Sequence, residues 1–143
     1  MKRSTIFAAA IAATLSLPSI AQNPAEIDGA VDAAKKAASA WLAVVDKQEF
    51  ARSYDDLAPA AKSMVPRADW ESNLKQVRGT LGALQSREVN TAQYSRSLPG
   101  APDGEYVVIQ YRSRFDKSAT ATETVTPMRG QDGAWRVSGY FVR

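Results

Sequence analysis

The chain has 143 residues, a length that suits one domain with one hydrophobic core. It contains no cysteine and no histidine, which excludes disulfides, cysteine nucleophiles, histidine bases and zinc sites that use either residue. Glycine-rich phosphate loops, calcium loops and dinucleotide fingerprints are also missing from the sequence. We therefore predict no metal and no other cofactor.

The first 21 residues are typical of a signal peptide. Lys2 and Arg3 precede an apolar run from Ile6 to Leu17, and small residues at 19 and 21 fit cleavage after Ala21. The apolar run is shorter than the roughly 20 residues that span a bilayer, and a retained anchor is the alternative. We expect a periplasmic or secreted protein without a stable membrane anchor after cleavage.

Removal of the signal peptide changes the charge balance. The chain has 18 basic and 15 acidic residues, and Lys2 and Arg3 leave with the signal, so 16 basic residues remain against 15 acidic ones. A nearly neutral domain has no broad basic field for nucleic acid. We predict that residues 22–143 form one domain. This domain is expected to bind an unknown protein or small molecule and no nucleic acid, and its oligomeric state is left open.

Apolar spacing predicts that helices occupy the first half of this domain. Between Asn23 and Asp46, apolar residues recur every three or four positions, as in a long amphipathic helix. A short helix is predicted from Phe50, a further helical turn over 60–65, and another helix from Pro66 that ends near Gly82. These helices are expected to cover one face of a sheet.

From Ser86 onward the apolar period changes to two. Val107, Ile109, Tyr111 and Phe115 share one parity and predict a central strand with one buried face. The other strands are predicted over 86–94, 119–128 and 135–142, with an edge or a bulge at a proline in position 127. The fold class is thus α+β, with N-terminal helices packed on a curved four-stranded antiparallel meander.

Two of these strands have a predicted inner face. By simple alternation, Arg87, Val89 and Thr91 share one face of the first strand. In the last strand, Val137 and Phe141 share a face, with a bend expected at a glycine in position 139.

The sequence resembles a secreted bacterial family, domain of unknown function 4019, over nearly all of residues 22–143. The most specific segments are Leu98–Tyr106 (LPGAPDGEY) and Trp135–Tyr140 (WRVSGY), supported by Trp70, Arg78 and Arg87. The resemblance implies a compact exported domain with no established activity, so it transfers no catalytic residue. The order of elements is also similar to the cystatin-like and nuclear-transport-factor-2-like folds, an analogy of fold that carries no function.

Folds of that kind often leave a pocket between the helices and the sheet. Arg87 and Glu123 have the parity of buried neighbours, so we hypothesise that they form a partly buried ligand-binding cluster with Arg78 and Tyr111. The alternative is an ion pair that holds the sheet to a helix, because a buried charge needs a partner whether or not a ligand exists.

Alternating tyrosine and arginine residues on the opposite parity form a candidate partner face. An exposed sheet face of this kind can bind a protein or an acidic glycan, and ordinary cross-strand pairing on a solvated face is the alternative. The residues predicted for this face are Tyr106, Arg112, Arg114, Arg136 and Tyr140.

The sequence favours a non-enzymatic binding or protein-interaction module. One alternative is a small cavity enzyme of the isomerase or lyase type, in which a buried carboxylate, Glu123, acts with Tyr111. Another is a structural protein of the cell envelope. We assign no catalytic residue.

Overall fold

The computed structural model describes residues 22–143, and the predicted signal peptide lies outside the described residues. Four helices come first: α1 (Pro24–Asp46), α2 (Phe50–Asp55), α3 (Pro59–Met64) and α4 (Arg67–Leu81). Four strands follow: β1 (Leu84–Ser95), β2 (Tyr106–Phe115), β3 (Ser118–Arg129) and β4 (Trp135–Val142). Within residues 22–143, no helix combines the length and apolar character needed to cross a bilayer.

The sheet is an antiparallel meander in which each strand pairs with the next along the chain, in the order β1-β2-β3-β4. The α+β prediction, with helices before a four-stranded antiparallel sheet, is confirmed. On β2 the predicted inner residues are buried, and Ser113 is buried among them. This face packs against the helices and forms the core.

Helix α1 begins where the sequence predicts it. The Asn23 side-chain oxygen accepts a hydrogen bond from the Ala25 amide at 3.1 Å, and Pro24 occupies the first turn, where its missing N–H costs nothing. One stripe of α1 is buried against the sheet, and it consists of Ala34, Ala38, Trp41, Leu42 and Val45. The predicted amphipathic helix is therefore present, with its apolar stripe in the core.

A register shift in β1 corrects the predicted inner face of that strand. Val89 pairs with Tyr111, but the next paired residue is Thr91, opposite Gln110, so Asn90 is an extra residue. Such a bulge reverses the parity of every residue after it. Thr91 therefore does not share the face of Arg87 and Val89, and that part of the prediction is wrong.

A second shift lies between β3 and β4, at the proline where the sequence predicts an edge or a bulge. Thr126 pairs with Gly139 and Pro127 with Val137, which leaves Ser138 unpaired. Proline has no N–H to donate to the ladder, so the pairing breaks there. Beyond this point the parity of β4 is reversed, and Phe141 is 46% exposed. The predicted shared face of Val137 and Phe141 is wrong for this reason.

Candidate functional site: a buried charge network beside an open cleft

The Glu123 carboxylate lies at the centre of a buried polar network. Its side chain has no exposed surface. Arg87 donates to it from Nε at 2.6 Å and from Nη2 at 3.0 Å. The hydroxyls of Ser113 and Tyr140 donate to the same carboxylate at 2.5 Å and 2.6 Å. The structure thus brings Arg87 and Glu123 together, and four hydrogen bonds occupy the two carboxylate oxygens.

Asp46, the last residue of α1, extends the network to the helices. It accepts hydrogen bonds from Arg87 Nη1 at 2.8 Å and from Arg87 Nη2 at 3.0 Å. Arg78, on α4, donates to the same carboxylate from Nη2 at 2.8 Å. We call these residues the charge network: Asp46, Arg78, Arg87, Ser113, Glu123 and Tyr140. They come from α1, α4 and all four strands.

Electrostatics favour the charged forms of Asp46 and Arg87 and the neutral form of Tyr140. Burial by itself would raise the pKa of Asp46, but hydrogen bonds from Arg87 and Arg78 outweigh burial and lower that pKa below its ordinary value. For Arg87, burial opposes the charge, yet the hydrogen bonds that it donates to Asp46 and Glu123 raise its pKa above the ordinary value. Burial, followed by the Glu123 charge, raises the pKa of Tyr140, so its phenol stays protonated and donates. Two cations and two anions balance in this region.

Tyr111, predicted to belong to the cluster, does not bond to it. Its side chain is 4% exposed, and among residues 22–143 its hydroxyl has no hydrogen-bond partner. Burial raises the pKa of this phenol. The structure therefore joins Arg78, Arg87 and Glu123 but leaves Tyr111 outside the hydrogen bonds, although it pairs with Glu123 across the β2–β3 ladder.

An open cleft of about 610 Å³ lies beside the network, between the ends of α1 and α4 and the start of β1. We call it the Arg78 cleft. Its lining residues are Asp46, Gln48, Phe50, Lys75, Arg78, Gly79, Gly82, Ala83 and Leu84. The Arg78 side chain is only 6% exposed, and its Nε and Nη1 atoms have no hydrogen-bond partner within the described part of the chain. Arg78 thus lines a cleft that is open to solvent, while its two unpartnered nitrogens are themselves buried.

The predicted partner face is only partly at the surface. Arg112 and Arg114 are exposed, and Arg112 pairs with Glu88 across the strands at 3.1 Å. Arg136 forms an ion pair with Asp132 at 2.8 Å, and hydrogen bonds from Arg136 are the main reason why the pKa of Asp132 falls to about 2. Arg112 and Arg114 are thus exposed and Arg136 is partly exposed, and Arg112 and Arg136 already have partners within residues 22–143.

The two tyrosines of that face are corrected. Tyr106 is 1% exposed because the connection before β2 covers it, and its hydroxyl donates to the Pro102 carbonyl at 2.5 Å. Tyr140 points inward because of the β4 register shift, and its ring contacts Trp41 edge to face at 5.2 Å. Neither tyrosine is available to an outside partner.

Sequence reasoning missed three members of the network. Asp46 had a signal in the sequence: an acidic residue at a helix C-terminus is disfavoured by the helix dipole, so its position calls for a nearby cation. Ser113 had another, since it is a polar residue on the buried parity of β2. Tyr140 had only an indirect signal, the edge or bulge expected at Pro127, because simple alternation does not show that a bulge there turns this residue inward.

The charge network and the Arg78 cleft lie within one matched segment of the chain. No curated protein matches the sequence. Residues 37–140 match the model of the family described as "Protein of unknown function (DUF4019)". This segment covers more than half of the chain and includes every residue of the network. The chain belongs to this family of proteins of unknown function.

Proposed function

We propose that this protein is an exported binding module, and that its ligand binds in the Arg78 cleft. The observation that carries the proposal is that Arg78 lines an open cleft while two of its nitrogens lack partners in residues 22–143. Leaving a buried polar group unsatisfied costs about 1–3 kcal/mol, which a bound acceptor would recover. The cleft volume of about 610 Å³ falls in the range typical of small-molecule sites.

The state of Glu123 supports binding over catalysis. A general base needs a free lone pair and a path to its substrate. Glu123 already accepts four hydrogen bonds and has no exposed surface, and Tyr111 does not bond to it. These features disfavour the isomerase or lyase alternative, in which this pair would act. The structural alternative, an envelope protein whose network only holds helices to sheet, makes no use of the cleft.

Native mass spectrometry tests whether the cleft is occupied. The full chain is expressed in a bacterium, and the processed protein is recovered from the cell envelope without refolding. We expect a reproducible added mass of metabolite size. Ala83→Phe, which fills the cleft from its wall, should abolish this mass, whereas Ala119→Phe, at an exposed site on β3, should retain it. A bare mass, or an adduct that Ala83→Phe retains, contradicts the proposal.

A bare mass would direct attention to the outer sheet face. Arg112 and Arg114 are the predicted partner residues that remain exposed there. Crosslinking in the host from these two positions would then test the protein-partner alternative.

The exported part of the proposal rests on residues 1–21 and is tested separately. Intact-mass analysis of the envelope fraction should show a chain that starts at Gln22, as cleavage after Ala21 requires. A protein that keeps Met1 and stays in the cytoplasm would contradict export without affecting the argument for the cleft.

A further inference from the structure

We infer that the Arg78 cleft binds a compact oxyanion, a carboxylate or phosphate group at the end of a small molecule, through Arg78 and Lys75. This inference rests on the proposed function, in which the cleft is a ligand site. It adds the chemical class of the ligand and the two residues that select it.

The free groups of Arg78 are all donors. A guanidinium has five N–H groups and no acceptor, so whatever satisfies Nε and Nη1 must present lone pairs. Nη2 is already used, because it donates to Asp46. The Phe115 ring lies 5.0 Å from Arg78 Cζ, an arrangement that stabilises the cation through the face of the ring and supplies no in-plane acceptor. A ligand oxygen meets this requirement.

The charge of the cleft selects an anion over a neutral acceptor. Its charged lining residues are Asp46, Lys75 and Arg78, which leave one positive charge in excess. Asp46 and Arg78 are both balanced inside the network, so the excess positive charge of the cleft belongs to Lys75. Lys75 is exposed and forms no ion pair with the rest of residues 22–143. A lysine and an arginine that converge on one cleft are the usual partners of carboxylate and phosphate.

The C-terminus of α4 does not cancel this positive charge. Free carbonyls at a helix C-terminus would repel an anion. Here the Arg78 carbonyl accepts from the Gly82 amide at 3.0 Å, and the Leu81 carbonyl accepts from the Lys117 amide at 2.9 Å. The Lys117 ammonium also lies 3.4 Å from the Gly79 carbonyl. Three of the last four carbonyls of α4 are therefore occupied by donors from the protein itself.

Apolar walls beside the cations favour an oxyanion carried by an organic molecule. Phe50 and Leu84 line the same cleft as Lys75 and Arg78. A small apolar body can cover these side chains while its charged end meets the two cations, which is the usual composition of a small-molecule site.

NMR titration of the processed protein tests the inference directly. The probes are sodium acetate and sodium phosphate, with sodium chloride at matched ionic strength as the reference for screening. The signals to follow are the Arg78 Nε–H group and the amides of Gly79, Gly82 and Ala83. We expect saturable shifts at these positions with a dissociation constant in the millimolar range, since each probe lacks the rest of the ligand. Acetate and phosphate are separate arms, and the tighter one identifies the oxyanion.

Two lysine variants make the test specific to the cleft. Lys75→Gln removes a charge from the cleft wall and should weaken binding several-fold, whereas Lys36→Gln, on the exposed surface of α1, should bind as the wild type does. Both substitutions are at exposed sites and are expected to fold. The inference would be overturned if sodium chloride produced the same chemical-shift changes, if the changes never saturated, or if Lys75→Gln left them unchanged.

The mass-spectrometry experiment separates this inference from the proposed function. A neutral or cationic adduct that Ala83→Phe removes would support a ligand in the cleft and overturn the oxyanion class. A bare mass combined with saturable acetate or phosphate binding would contradict the proposed function, which expects a retained cellular ligand, and would still support an oxyanion site in the cleft. An anionic adduct lost in Ala83→Phe and weakened in Lys75→Gln would support both.

Discussion

Glu123 is a fully buried charge whose cost is offset by Arg87 and by two hydroxyl donors. Replacing a whole buried ion pair with apolar groups often changes stability little, whereas removing one partner leaves the other charge uncompensated. Arg87 forms ion pairs with both Glu123 and Asp46, so the loss of either carboxylate leaves its buried charge with one ion-pair partner. The contribution of these residues to stability can therefore be measured by replacing one charged residue at a time.

Glu123→Gln is expected to lower the free energy of unfolding by about 3 kcal/mol, because it leaves the buried Arg87 cation with Asp46 alone. Glu88→Gln is the matched control. It breaks the Glu88–Arg112 pair, in which both side chains are about two-thirds exposed, and should cost less than about 1 kcal/mol. Urea unfolding of the two variants gives the comparison. Equal losses in both would show that Glu123 is not part of a buried network.

The lowered pKa of Asp46 predicts a loss of stability in acid. A carboxyl whose folded pKa lies below its unfolded value, here about 3.9, stabilises the fold fully above that unfolded value and loses its contribution as pH falls through the folded pKa. The wild type should therefore exceed Asp46→Asn in stability at pH 6, and the difference should shrink below about pH 4. Urea unfolding at pH 6 and pH 3 measures it. A difference that is the same at both values would contradict the assigned pKa shift.

At the scale of elements, the sequence predicted more about the helices and the central strand than about the edge strands. Helix α1 and strand β2 follow regular periods, and most of their buried residues could be identified by spacing, with Tyr106 at the start of β2 as an exception. In β1 and β4 a single extra residue reverses the parity, and neither Asn90 nor Ser138 by itself identifies the position of a bulge. The Arg78 cleft was equally hidden, because it depends on how the ends of two helices meet the start of β1.

Gly82 ends α4 in a backbone conformation that other residues rarely adopt. Its φ is 78° and its ψ is −161°, and an added Cβ would lie 3.1 Å from Asp116 Cβ and 3.3 Å from Lys117 Cγ. We expect Gly82→Ala to destabilise the protein by about 1–3 kcal/mol, because the backbone is strained for alanine and the site is crowded. Thermal unfolding measures the effect.

Gly79→Ala is the control for Gly82, with the opposite sign expected. Gly79 lies inside α4, and an added Cβ would meet no atom within 4 Å. Alanine should stabilise the helix by about 0.5–1 kcal/mol, because it restricts the unfolded chain without any clash. Destabilisation of similar size by both substitutions would mean that helix disruption, not the conformation of Gly82, explains the loss.

For the whole molecule, the charge network is a second set of contacts that joins the helices to the sheet, in addition to the apolar core. Helix α1 packs directly on the sheet through its buried stripe. Helix α4 packs mainly on α2, contacts Phe115 of β2 through the Arg78 guanidinium, and is linked to Arg87 of β1 through Asp46. Sequence reasoning placed Arg78 of α4 in one cluster with Arg87 and Glu123, but it did not predict Asp46, the carboxylate that links the two arginines. We expect this link to affect how α4 unfolds.

We expect α4 to unfold together with the sheet in the wild type and before it in Asp46→Asn. The substitution leaves Arg78 and Arg87 close together with no carboxylate between them, so opening of α4 relieves their repulsion while the sheet keeps its core. Native-state hydrogen exchange should show amides of α4 and β3 with similar opening free energies in the wild type, and a selective loss in α4 in the variant. Asp132→Asn, which breaks an exposed pair in the last turn, should leave both elements unchanged. If α4 and β3 lose protection equally in Asp46→Asn, the network is not what attaches α4 to the sheet, and the apolar contacts of α4 are sufficient.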